Sequence, residues 1–87
     1  MKLHEYLKSI GEGPYSWAVK HGLPGPRIND HCKYEEDPAT GRPLGPRLAL
    51  SVVISSGGNV TLNDLLPELS KKIAIARSME IEAAAHA

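Results

Sequence analysis

A single cysteine, Cys32, is the only thiol in these 87 residues, so no intrachain disulfide can form and stability must come from packing alone. Net charge is lacking too: ten Lys and Arg balance ten Asp and Glu, which argues against a nucleic-acid binder that works through bulk positive charge. No apolar run approaches the ~20 residues a membrane-spanning helix needs. His, Glu, Lys and Ser break up the N-terminal "MKLHEYLKSIGEG" too often for a secretory signal. Paired carboxylates, a phosphate-binding glycine loop and a nucleophile-base motif are all missing, so neither an enzyme nor a small-molecule substrate is expected. His21, His31, Cys32 and His86 lack the close paired spacing of a zinc site, and no metal or cofactor is expected either. These absences leave a soluble cytoplasmic protein of one domain with one modest core.

What is present is apolar residues at helical spacing. Leu3, Tyr6, Leu7 and Ile10 share one face of a first helix, which Gly11 and Gly13-Pro14 end. Tyr15, Trp17 and Ala18 form a second set before Gly22, with Ser16 as a candidate cap. Proline suits the first helical position, so Pro26 opens a third helix to about Tyr34 with Ile28 and Cys32 inward. Residues 35–45, "EEDPATGRPLG", read as a loop, as a small hairpin turning at Thr40-Gly41, or in part as an extension of the third helix. Within them Glu35, Glu36 and Asp37 read as a solvated charge run that would repel phosphate and limit non-specific binding. Pro46 opens a fourth helix with Leu48, Ala49, Val52 and Val53 on one side, closed by Gly57-Gly58. Val52, Val53 and Ile54 are strand formers, which makes a strand the competing reading. Thr61 and Asp64 resemble a capping box, and a last helix over Glu68 to His86 carries a thin stripe of Leu69, Ile73, Ala76 and Met79.

The charge that exists is unevenly spread. Through Tyr34, Lys2, Lys8, Lys20, Arg27 and Lys33 stand against Glu5, Glu12 and Asp30, so a polyanion site belongs in the first half. There the order Ala18, Gly22, Ile28 meets three needs of two helices crossing over a tight turn. These are a small residue at the approach, a residue tolerant of positive φ, and an apolar anchor on the second helix.

That triplet, followed by "GRPLGPRLALSVVISSGGNVTLNDLLP", resembles the Cro-like, or lambda-repressor-like, helix-turn-helix family over roughly residues 3–67. The matched later positions are Gly41, Arg42, Pro43, Ala49, Gly57, Gly58, Val60, Thr61, Asp64 and Leu65. The chain departs from the pattern in extra residues between Ile28 and Gly41, and in prolines at 24 and 26 where such domains carry Ser, Thr or Gln.

The resemblance implies an all-α, compact five-helix helix-turn-helix domain over residues 1–67, with an inserted loop or hairpin after the third helix. Residues 68–87 form a C-terminal helix or tail and a candidate dimerisation element. It implies a sequence-specific regulator of transcription, most simply a repressor of phage or mobile-element type in the bacterial cytoplasm or nucleoid. Its partners would be a double-stranded DNA operator and a second copy of itself, with the third helix in the major groove. Asn29 suits adenine, Arg27 and Lys33 suit guanine or phosphate, and Asp30 suits a cytosine amine. Tyr15 and Ser16 would meet a phosphate, and Arg42 and Arg47 would clamp the backbone. The bland alternative makes Arg27, Asn29 and Lys33 a solvated helix face, with Asp30 paired to Arg27. A rival function keeps these helices as a protein-interaction module, such as an antitoxin or a phage assembly adaptor, which the zero net charge favours.

Overall fold

The computed structural model describes residues 1–86, with side chains through Ala83, and every regular element among them is an α-helix. The six helices are α1 (Leu3–Ile10), α2 (Pro14–Lys20), α3 (Gly25–Glu36), α4 (Pro46–Ser55), α5 (Leu62–Leu65) and α6 (Pro67–His86). None is long and apolar enough to cross a membrane.

Proline and glycine set most of the boundaries. Pro14, Pro26 and Pro46 sit in the first turns of α2, α3 and α4, where a missing N–H costs no hydrogen bond. Gly11 ends α1 at φ 70°, a left-handed conformation that allows its N–H to reach the Leu7 and Lys8 carbonyls. The start of α5 is capped reciprocally: Asp64 N–H donates to Thr61 Oγ1 at 3.1 Å and Thr61 N–H donates to Asp64 Oδ2 at 2.9 Å.

Several expectations are corrected. Helix α2 begins at Pro14 with Gly13 as its N-cap, so Ser16 lies inside the first turn and caps nothing. Ile10 is 45% exposed, leaving Leu3 and Leu7 as the buried face of α1. The expected fourth helix, by contrast, stands over its competing strand at Val52–Ile54: Ala49 and Val52 are fully buried while Ile54 is 80% exposed, a three-residue spacing that the alternation of a strand cannot supply.

The core gathers Leu3 and Leu7 of α1, Trp17 and Ala18 of α2, Ile28 and Cys32 of α3, and Ala49 and Val52 of α4. Burying Trp17 and Ile28 stabilises the fold by roughly 2–3 kcal/mol each. Tyr6 is half-buried and meets the indole edge to face, with ring centroids 6.2 Å apart.

Residues 37–45 form neither a hairpin nor a further turn of helix. Asp37 turns the chain by accepting Thr40 N–H at 2.9 Å through its carbonyl and Ala39 N–H at 3.1 Å through its carboxylate. The backbone then crosses α3: Arg42 N–H donates to the Asp30 carbonyl at 3.2 Å, so a helix rather than a second strand satisfies it. Leu44, 3% exposed, anchors the far end in the core.

That crossing depends on Gly41. A Cβ there would stand 2.2 Å from the Asp30 carbonyl oxygen and 2.4 Å from the Tyr34 nitrogen, both backbone atoms that cannot step aside. Gly41→Ala is therefore expected to cost about 2–3 kcal/mol in denaturant unfolding. Gly45→Ala, with nothing within 4 Å of the new carbon, should stay within about 1 kcal/mol of the parent. Equal stability of the two variants would refute the tight crossing.

Candidate nucleic-acid interface

Helices α2 and α3 meet across a four-residue corner, His21 to Pro24. Gly22 takes φ 68°, and Leu23 N–H donates back to the Ala18 carbonyl at 2.8 Å. Ala18 and Ile28 are fully buried where the helices approach, Leu23 is half-buried, and His21 lies against the Trp17 indole at 4.7 Å between centroids. Tyr15 joins the two helix starts: a Cβ at Gly25 would lie 2.6 Å from its ring, so the bare glycine allows the phenol to sit on the first turn of α3.

Residues Ile28, His31, Cys32 and Glu35 form the inner face of α3. The last of these has the most consequence. Glu35 has a side chain only 5% exposed, and it caps α1 from another helix. Its Oε2 accepts Leu3 N–H at 3.0 Å, and its Oε1 accepts His4 N–H at 2.8 Å and His4 Nδ1–H at 3.0 Å. The α1 N-cap, Lys2, provides no side-chain bond, so the carboxylate takes over orphan donors at the positive end of the helix dipole.

His31, 1% exposed, extends the network to the crossing segment. Leu44 N–H can only donate, and it points at His31 Nδ1 at 3.1 Å, so the ring proton sits on Nε2 and is donated to Glu35 Oε2 at 3.2 Å. Glu35 therefore does not belong to the solvated charge run expected of residues 35–37: it turns inward to four donors. The signal was legible as spacing, since positions 28, 31, 32 and 35 repeat at helical period, but two polar residues disguise the stripe.

On the outer side, Arg27 and Lys33 are exposed, whereas Asn29 and Asp30 are half-buried. Successive residues turn by about 100° around a helix, so Arg27 and Asn29 flank the outer face rather than sharing it. Asn29 lines a small cleft of about 180 Å³ with Leu7, Lys8 and Pro14. Asp30 lies under the crossing backbone, which brings exposed Arg42 beside α3, and Thr40 Oγ1 donates to the Lys33 carbonyl at 3.4 Å. Exposed Ser16 shares the first turns of α2 with Tyr15, and Arg47 stands exposed on the first turn of α4. The outer side of α3 is not strongly basic, since Arg27 and Lys33 are offset by Asp30 and Glu36. Lys20 is engaged by Glu12.

Among the described residues no three His, Cys, Asp or Glu side chains come together as a metal would require; the His86 side chain lies outside them. No protein-family model, curated protein or solved structure matches this chain.

Two outcomes follow from the inner face of α3. Burial pushes the Glu35 carboxyl up, but the bonds from His31, His4 and Leu3 outweigh it and hold the group at about 2, below its ordinary 4.5. A depressed carboxyl contributes stability that is complete above 4.5 and drains away as pH falls toward 2. Glu35→Gln should lose about 2–4 kcal/mol at neutral pH and flatten that acid limb, measured by chemical denaturation across pH. An unchanged limb would contradict the network. Burial first, then the charges of Glu35 and Glu36, push the Cys32 thiol up to about 12, so a thiol reagent should label it only at the rate of unfolding. Fast labelling of the native protein would contradict its burial.

Proposed function

We propose that this chain is a sequence-specific double-stranded DNA-binding regulator of transcription, most simply a repressor, built as a Cro-like helix-turn-helix domain with α3 as the helix that enters the major groove. The observation that carries this is the α2–α3 corner. Gly22 at positive φ, with Ala18 and Ile28 buried on either side, is the packing a helix-turn-helix needs. This reading is supported by Arg27, exposed on the first turn of α3 with Tyr15 packed on Gly25 beside it, and by exposed Arg42, which the crossing segment brings beside the same helix.

On this reading Arg27 makes the main base contact, to the O6 and N7 of a guanine, and the prolines at 24 and 26 fix the direction in which α3 starts. Tyr15, Ser16, Arg42 and Arg47 serve the phosphate backbone. Lys33 reaches phosphate at the edge of the face. Asn29, turned toward α1, contributes less than Arg27, and Asp30, beneath the crossing backbone, limits approach rather than reading a base. With no strong positive field, affinity depends on a few well-aimed contacts, and weak non-specific binding is the consequence.

A second reading, an interaction module such as an antitoxin or a phage assembly adaptor, is favoured by one observation. An apolar cavity of about 540 Å³ lies between Tyr34 and the α5–α6 junction, away from the outer face of α3.

Selection from a random duplex pool, followed by titration, separates the two. The DNA reading expects one enriched site, bound with a log-salt slope of about −0.9 per phosphate neutralised. Arg27→Ala should cost about 1–3 kcal/mol of affinity for that site and relax its preference at one base pair, with folding unchanged. Equal, weak binding to every duplex would remove the regulator proposal in favour of the module.

A further inference from the structure

The cavity of about 540 Å³ between α3 and the α5–α6 junction has the size of a small-molecule site. It reaches down to the core, since Leu44 and Leu65, each 3% exposed, line it. Four of the chain's seven prolines, Pro38, Pro43, Pro46 and Pro67, line it as well. Their rings fix φ and stiffen the wall segments, while the bond from Leu44 N–H to His31 Nδ1 holds the crossing segment against α3. Walls that are stiff before a ligand arrives lose little freedom when it binds.

The polar groups at these walls are already engaged. His31 uses both ring nitrogens, and the two oxygens of Glu35 receive four donors. Asp64 Oδ2 accepts Thr61 N–H at 2.9 Å and the Met1 ammonium at 3.0 Å. No buried side-chain polar atom among the described residues lacks a partner, so the part of a ligand that lies inside is hydrocarbon, with the half-buried Tyr34 ring among its walls. The prolines have no N–H to give to the carbonyls of an added strand, which favours a free small molecule over an extended peptide.

Charge decides the other end of the ligand. Of the acids that line the cavity, Asp64 pairs with the N-terminal ammonium, Glu68 lies 3.8 Å from Lys71, and Glu35 is saturated. Lys2 also lines it, is exposed, gives no side-chain cap to α1 and takes part in no ion pair among the described residues. We propose that this cavity binds a small apolar monocarboxylate, with its hydrocarbon body against Tyr34, Leu44 and Leu65 and its carboxylate at the mouth beside the Lys2 ammonium. Such binding is independent of the DNA reading, because the cavity lies away from the outer face of α3 and the ligand needs no duplex.

Three probes test it on the whole chain: 2-naphthoate, 2-naphthamide and 2-naphthylmethylamine carry one aromatic body with an anionic, a neutral and a cationic head. In an NMR titration 2-naphthoate is expected to shift the Leu44, Leu65 and Leu69 methyls and the Tyr34 ring saturably. Its dissociation constant should fall in the range of roughly 0.01–1 mM that suits a ligand of this size, about tenfold tighter than the other two. Lys2→Met, a surface change, should bring the three probes within about twofold of one another. Leu69→Trp fills the mouth from a half-buried position and should weaken 2-naphthoate about tenfold or more, with circular dichroism and unfolding as in the parent. Absence of saturable shifts at millimolar 2-naphthoate, or shifts centred outside the cavity, overturns the proposal. So do equal binding of all three probes by the parent, tightest binding of the amine, and an undiminished preference for the carboxylate in Lys2→Met.

Discussion

The carboxylate of Glu35 ties together three parts of the chain that are far apart in sequence. It supplies the cap that α1 lacks, it fixes the tautomer of His31, and through His31 it holds the Leu44 amide and with it the segment that crosses α3. A buried acid is costly without partners and rigidifying with them. Here four donors surround it, and no buried side-chain polar atom among the described residues is left without a partner. The orientation of α3 relative to α1 follows from this network as much as from the contacts of Ile28 and Cys32, which are not directional.

The elements with strong local signals were legible in the sequence. Glycines and prolines mark the turns at Gly11, Gly22 and Pro46, and the Thr61–Asp64 cap is present in both its bonds. The apolar period through α4 also outranked the strand preference of Val52 and Val53, because burial of Ala49 and Val52 on one face requires a helix. What escaped were the long-range polar contacts. Glu35 sits next to Glu36 and Asp37 in sequence, and nothing local marks it as the member turned inward, because its partners are backbone amides over thirty residues away. The path of residues 37–45 escaped for the same reason: it is set by carbonyls of α3 and by the fit of Gly41, not by a turn signal of its own.

The crossing segment also bears on the proposed function. By lying against α3 at Asp30 and Tyr34 it closes off the later part of the outer face and brings Arg42 to its edge. A helix that reads DNA from this scaffold does so with its first turns, where Arg27 stands and Tyr15 packs on Gly25. The extra residues after Ile28, which separate this chain from the Cro-like pattern, thus act on the same helix as the proline start. Both narrow the surface that the proposed reading would bring to a groove.

The most direct test of this account is an amide and side-chain chemical-shift map of the protein titrated with the duplex it selects. The account predicts that the largest changes fall on Tyr15, Ser16, Arg27 and Arg42, with Arg47 and Lys33 at the margin and the Leu44–Leu66 cavity undisturbed. Changes concentrated at Tyr34, Pro43 and Leu66 instead, with Arg27 unmoved, would contradict it.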